Sequence, residues 1–96
     1  MIAIITITFR NEYRARDAFE VLKRISRNYA GLLVVKGVVV SLESMDEYSI
    51  VLTAYSESLK RLLKAVRAIE EAYAGIGGFV EARLAVAGLD VGACVW

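Results

Sequence analysis

The sequence predicts an α+β fold, an antiparallel sheet covered on one side by two helices. Three observations lead there. Apolar residues alternate with a period of two in several stretches, they recur at 3-4-3-4 spacing in two others, and glycine or serine stands at most of the joints between them. The first strand is read over Ile2–Phe9, with Ala3, Ile5, Ile7 and Phe9 on one face and Thr6 and Thr8 on the other. Ile2 and Ile4 make the start of that second face apolar, which calls for cover from another element or subunit.

A helix follows. Asn11 can accept from the orphan amides of a first turn, and Glu12 sits favourably at the positive end of the helix dipole. Ala15, Ala18, Leu22, Ile25 and Tyr29 then form one stripe, widened by Phe19 and Val21, with Asn28 and Gly31 as the stop. Residues 32–44 are a β-branched run interrupted by Gly37. That reads either as one bulged strand or as an irregular approach to a strand over 38–43. Met45, Asp46 and Glu47 are a polar turn, and residues 48–55 alternate again, so an antiparallel hairpin is expected. Ser56 or Ser58 caps a second helix carrying Leu59, Leu62, Leu63, Val66, Ile69 and Tyr73 and ending at Gly75. Gly77 and Gly78 lead into a last strand over Phe79–Val86. The order β-α-β-β-α-β is that of the split βαβ, ferredoxin-like pattern, with both helices on one face of a four-stranded sheet.

The chain has 96 residues, which fits a single domain over 1–96, with 89–96 an apolar, glycine-punctuated tail left without an assigned state. Its apolar fraction of 57% exceeds the ~45–50% usual for globular domains. So short a chain buries only about 60–65% of its surface, so the surplus points either to an interface or to a core rich in Ala and Val. Twelve basic and eleven acidic residues nearly cancel, which is not the balance of a dedicated nucleic-acid binder. One cysteine, Cys94, excludes an internal disulfide and favours a reducing, cytoplasmic setting. No apolar run approaches the ~20 residues of a membrane helix, so no membrane partner is expected. The absence of Gln and His and the two Asn residues hint at a thermophilic source, against which stands the absence of Pro.

Catalytic chemistry finds little to build on. Without histidine the chain lacks the commonest general base and neutral metal ligand, and one cysteine cannot make a Cys/His zinc site. No cofactor or metal is expected, and the chain is read as a non-enzyme. Glu43, Asp46 and Glu47 lack the spacing and glycine of a calcium loop and read as a solvated turn. Gly75, Gly77 and Gly78 follow a helix and precede a strand, the reverse of a phosphate loop. The middle strands are aliphatic, unlike the aromatic platform of an RNA-recognition sheet. Two basic clusters remain, one around the first helix (Arg10, Arg14, Arg16, Lys23, Arg24, Arg27) and one on the second. Lys60, Lys64 and Arg67 share a helical face, as either a solvated surface or a phosphate-contacting stripe.

Residues 5–72 resemble the small dimerising subunit of the KEOPS (EKC) complex, which supports threonylcarbamoyl modification of adenosine in tRNA. The similarity lies in the strand ending at Phe9, the helix start from Asn11 to Ala18 leading into Phe19, Val21 and Leu22, and the hairpin 38–43 with 48–54. It continues in the run from Ala54 and Ser56 into a helix bearing Leu59, Leu62, Leu63 and Val66. The resemblance implies a non-enzymatic scaffold that forms homo- or heterodimers and joins other protein subunits. Ala15, Ala18, Phe19 and Leu22 of the first helix, with Leu59, Leu62, Leu63 and Val66 of the second, would bury one stripe in the domain and offer the rest to a partner. Lys60, Lys64 and Arg67 would touch tRNA. Two other classes stay open: a small-molecule regulatory module of ferredoxin-like type, and a stand-alone RNA binder using the basic helices.

Overall fold

The structure, a computed structural model, describes residues 1–26, 31–86 and the backbone of 89–90. It is a mixed α+β fold with an open, antiparallel sheet and two helices. Strand β1 (Ile2–Phe9) leads into helix α1 (Glu12–Ser26), then strands β2 (Leu32–Val35), β3 (Val38–Asp46) and β4 (Ser49–Tyr55). Helix α2 (Leu59–Tyr73), β5 (Phe79–Val86) and the two-residue β6 (Leu89–Asp90) complete the order.

Both helix starts follow from side-chain caps. The Asn11 Oδ1 accepts from the Arg14 amide at 2.9 Å. At α2 the N-cap is Ser58, whose Oγ accepts from the Arg61 amide, while the Ser56 Oγ accepts from the Ser58 amide. Each bond satisfies an amide that the helix itself leaves without a partner.

The sheet runs β2-β3-β4-β1-β5-β6. Two edge strands, β2 and β6, are added to the four expected from sequence, so the strand order differs from the four-stranded pattern. The physical reason is the pair Lys36–Gly37, at φ 51° and 80°. Two consecutive residues with positive φ between Val35 and Val38, which face each other in register, make the tight turn whose twist suits a hairpin. The run 32–44 is therefore folded back on itself as β2 and β3. A bulge between Leu42 and Ser44 re-aims β3 before the second hairpin, which closes around Glu47 and Tyr48 with Asp46 opposite Ser49. The expected helical positions Asn28 and Tyr29, the basic Arg27 and the tail from 91 lie outside the described residues, as does Cys94.

One side of the sheet is the core. Ala3, Ile5, Ile7 and Phe9 of β1 bury together with Val38, Val40, Ile50, Leu52, Ala54, Ala82, Leu84 and Val86, under Ala15 of α1 and Leu62, Ala65, Val66 and Ile69 of α2. At one end Phe9 meets Tyr73 and Phe79 edge-on, at 5.7 and 6.1 Å between ring centres, while Tyr73 and Phe79 stack. Burial leaves the Tyr73 phenol with a pKa above its ordinary value.

Candidate interaction surface

The opposite side of the sheet carries the unexplained chemistry. Alternation along each strand sends the residues between the core positions outward, and the ladder registers line these up in rows. In the first row Val34 faces Val39, Val39 faces Tyr55, and Tyr55 faces Ile2. All four are exposed, Val34 by 71%. The second row runs Leu32, Ser41, Thr53, Ile4, Ala85, with Leu32 and Ile4 again exposed. The third, Ser44, Val51, Thr6, Arg83, is mixed. The fourth, Asp46, Ser49, Thr8, Glu81, is polar, with the Thr8 and Ser49 hydroxyls hydrogen-bonded across the ladder and Glu81 ion-paired to Arg83 at 3.8 Å.

The open face is thus graded along the strands, greasy at the end beside the Lys36–Gly37 turn and polar at the other. Single exposed apolar residues need no explanation, whereas a contiguous apolar patch spanning four strands is a candidate interaction surface. Its apolar end continues into a concavity of about 440 Å³ lined by Leu32, Leu33, Val34 and Val39. Ile2 and Ile4 were marked by the sequence pattern as needing cover. Val34, Val39 and Tyr55 were missed, and the signal that finds them is the parity of β2, legible only once Lys36 and Gly37 are recognised as a turn.

The helix residues expected at a partner interface lie elsewhere. Ala15, Leu62 and Val66 are fully buried in the chain's own core and belong to the stripe that the helices turn inward. Ala18, Phe19, Leu22, Leu59 and Leu63 are half-buried and pack against the same core. The cause is geometric: a helix lying on a sheet turns its apolar stripe inward, and on α1 the stripe is wider than the contact, so Val21 and Ile25 stay exposed.

Lys60, Lys64 and Arg67 stand exposed along α2, and none forms an ion pair with the described residues. The ion pairs Arg16–Glu12, Lys23–Glu20 and Arg83–Glu81 among the described residues are largely solvent-exposed, where such pairs are worth little. Glu43, Asp46 and Glu47 are exposed around the second hairpin turn, and among the described residues no three metal-ligating side chains converge. A polar concavity of about 580 Å³ opens between the first hairpin turn and the start of α2, where the Ser56 and Ser58 hydroxyl oxygens are engaged in capping. No helix among the described residues is long and apolar enough to cross a membrane.

No protein-family model matches the chain, and no curated protein and no solved structure was found to be similar to it.

Proposed function

We propose that this chain is a non-enzymatic assembly subunit that pairs with a second copy of itself through the open face of its sheet. The observation that carries this is the row Val34, Val39, Tyr55, Ile2, four exposed apolar side chains abreast on four adjacent strands. At about 3.3 Å per residue and about 4.8 Å between strands, such a face covers on the order of 600 Å². Two copies would bury about 1,200 Å², the lower end of the size of specific interfaces. A two-fold axis running along the strands lays the greasy end of one face on the greasy end of the other, and polar rows on polar rows. Sheets packed in this aligned manner form a core about 10 Å thick.

The specific form of the proposal follows the resemblance to the KEOPS small subunit: a dimerisation subunit of a cytoplasmic, tRNA-modifying complex. Its fold reading is ferredoxin-like, with β5-β1-β4-β3 as the central set and β2 and β6 as edge additions. The position of β1 between β4 and β5 supports it. In that setting the exposed stripe Lys60, Lys64, Arg67 contacts tRNA phosphates. Affinity capture from source-cell lysate with mass spectrometry tests this form. Wild type is expected to recover tRNA-modification subunits and the Tyr55→Lys variant to lose them; recovery of none by wild type removes the tRNA reading and leaves the dimer to be judged by its mass.

A further inference from the structure

The outer edge of β2 is a second feature, which adjoins the open face and shares Leu32, Val34 and Val39 with it. Val35 and Val38 flank a two-residue turn and therefore form a hydrogen-bonded pair. Such pairs alternate along the ladder, and the Leu42 amide donating to the Gly31 carbonyl at 3.1 Å fits the same parity. Leu33 and Val35 thus bond to β3, while the amides and carbonyls of Leu32 and Val34 point away from it. No described strand lies beyond β2. An edge normally carries a guard, such as a proline, a charge within the strand or a covering element. Apart from its length of four residues, the strand Leu32, Leu33, Val34, Val35 carries no proline and no charge, and Leu32 and Val34 are exposed beside the apolar concavity they line with Val39.

We infer that the β2 edge binds an extended peptide segment of a partner protein by strand addition. The chemistry defines the occupant. Main-chain groups of Leu32 and Val34 supply the pairing, and the concavity takes aliphatic side chains at alternate positions of the peptide. Lys36, exposed and without an ion pair to the described residues, stands at the end of the strand. Antiparallel pairing brings the N-terminal end of the peptide there, so an acidic residue belongs at that end. A second copy does not suit this edge: four residues are too short to bury the area a stable dimer needs.

The probe is a synthetic seven-residue peptide of alternating valine and threonine with glutamate near its N-terminus, capped at both ends and titrated into the isotope-labelled full chain. Amide exchange at Leu32 and Val34 is expected to be fast in the free chain and at least tenfold slower with peptide, while Leu33 and Val35 stay protected throughout. Val34→Pro removes one outward N–H without touching the bonds to β3 and should weaken binding about tenfold or more. Lys36→Glu should weaken it too, with recovery when the peptide carries lysine in place of glutamate. Tyr55→Lys, which disables the open face, should leave peptide binding intact. The inference is overturned if saturating peptide leaves Leu32 and Val34 unprotected or if Val34→Pro binds as well as wild type. It is equally overturned if both amides are already protected without peptide in the variant with Ile2 and Tyr55 both replaced by lysine, in which the open face is disabled.

Discussion

Ile2 and Tyr55 stand directly opposite each other across the β1–β4 ladder, on the side of the sheet away from the helices, and remain 57% and 58% exposed. A β-branched residue facing an aromatic contributes about 0.2–1 kcal/mol to the sheet. Most of the apolar area of the pair still faces water, at a cost of about 25 cal/mol for each Å² that association would cover. The two residues therefore stand where local strand pairing meets the proposed self-association.

Core and interface should separate cleanly on substitution. Leu62→Ala is expected to lower unfolding stability by about 2–5 kcal/mol, because it empties a fully buried site. Tyr55→Lys, at an exposed site, should change the stability of the single chain by less than about 1 kcal/mol while abolishing self-association. Urea unfolding monitored by circular dichroism, paired with sedimentation, measures both.

The first hairpin turn carries a conformational load. Gly37→Ala meets no atom within 4 Å, so any cost is purely that of φ 80°, and about 1–2 kcal/mol of destabilisation is expected. Lys36→Gly relieves the strain of a non-glycine residue at φ 51° and should raise stability by about 0.5–1 kcal/mol at most, since added freedom in the unfolded chain offsets part of the gain. Shifts of the urea midpoint at constant slope read both changes.

The aromatic trio gives the fold an alkaline limit. Burial raises the Tyr73 pKa, so the folded state holds its phenolic proton more tightly than the unfolded one does. Stability from this group is fully present below the unfolded value of about 10 and is lost as pH rises through the folded value. Tyr73→Phe should remove that part of the alkaline loss. Denaturation midpoints compared on the two sides of that pH, for wild type and variant, provide the check.

If the α2 stripe touches RNA, binding of tRNA should weaken linearly in logarithmic salt concentration. Replacing Lys60, Lys64 and Arg67 together by alanine should reduce that slope by about 2–3. An unchanged slope places the phosphate contacts elsewhere.

Much of this was legible in the sequence because its signals were local. The period of two in Ile2–Phe9 and the stripes of α1 and α2 each reflect burial against a single surface, and the caps at Asn11 and Ser58 are read from residue type and position. What escaped depended on pairing. Lys36–Gly37 lacks the asparagine or aspartate that usually announces such a turn, so the run 32–44 reads as one bulged strand or an irregular approach to a strand over 38–43, and neither reading reveals the parity of Val34 and Val39. Ala15, Leu62 and Val66, which the resemblance places on partner-facing helices, are consumed by the core. The outward face of a strand is set by its partner strands, and those partners lie up to tens of residues away.

The mass of the chain in solution tests the central claim most directly. Sedimentation equilibrium over a wide concentration range should give about twice the 10.6 kDa of one chain, falling to one chain's mass when Ile2 and Tyr55 are both replaced by lysine. A wild-type protein that keeps the mass of a single chain at every concentration, or a double variant that still pairs, contradicts the account.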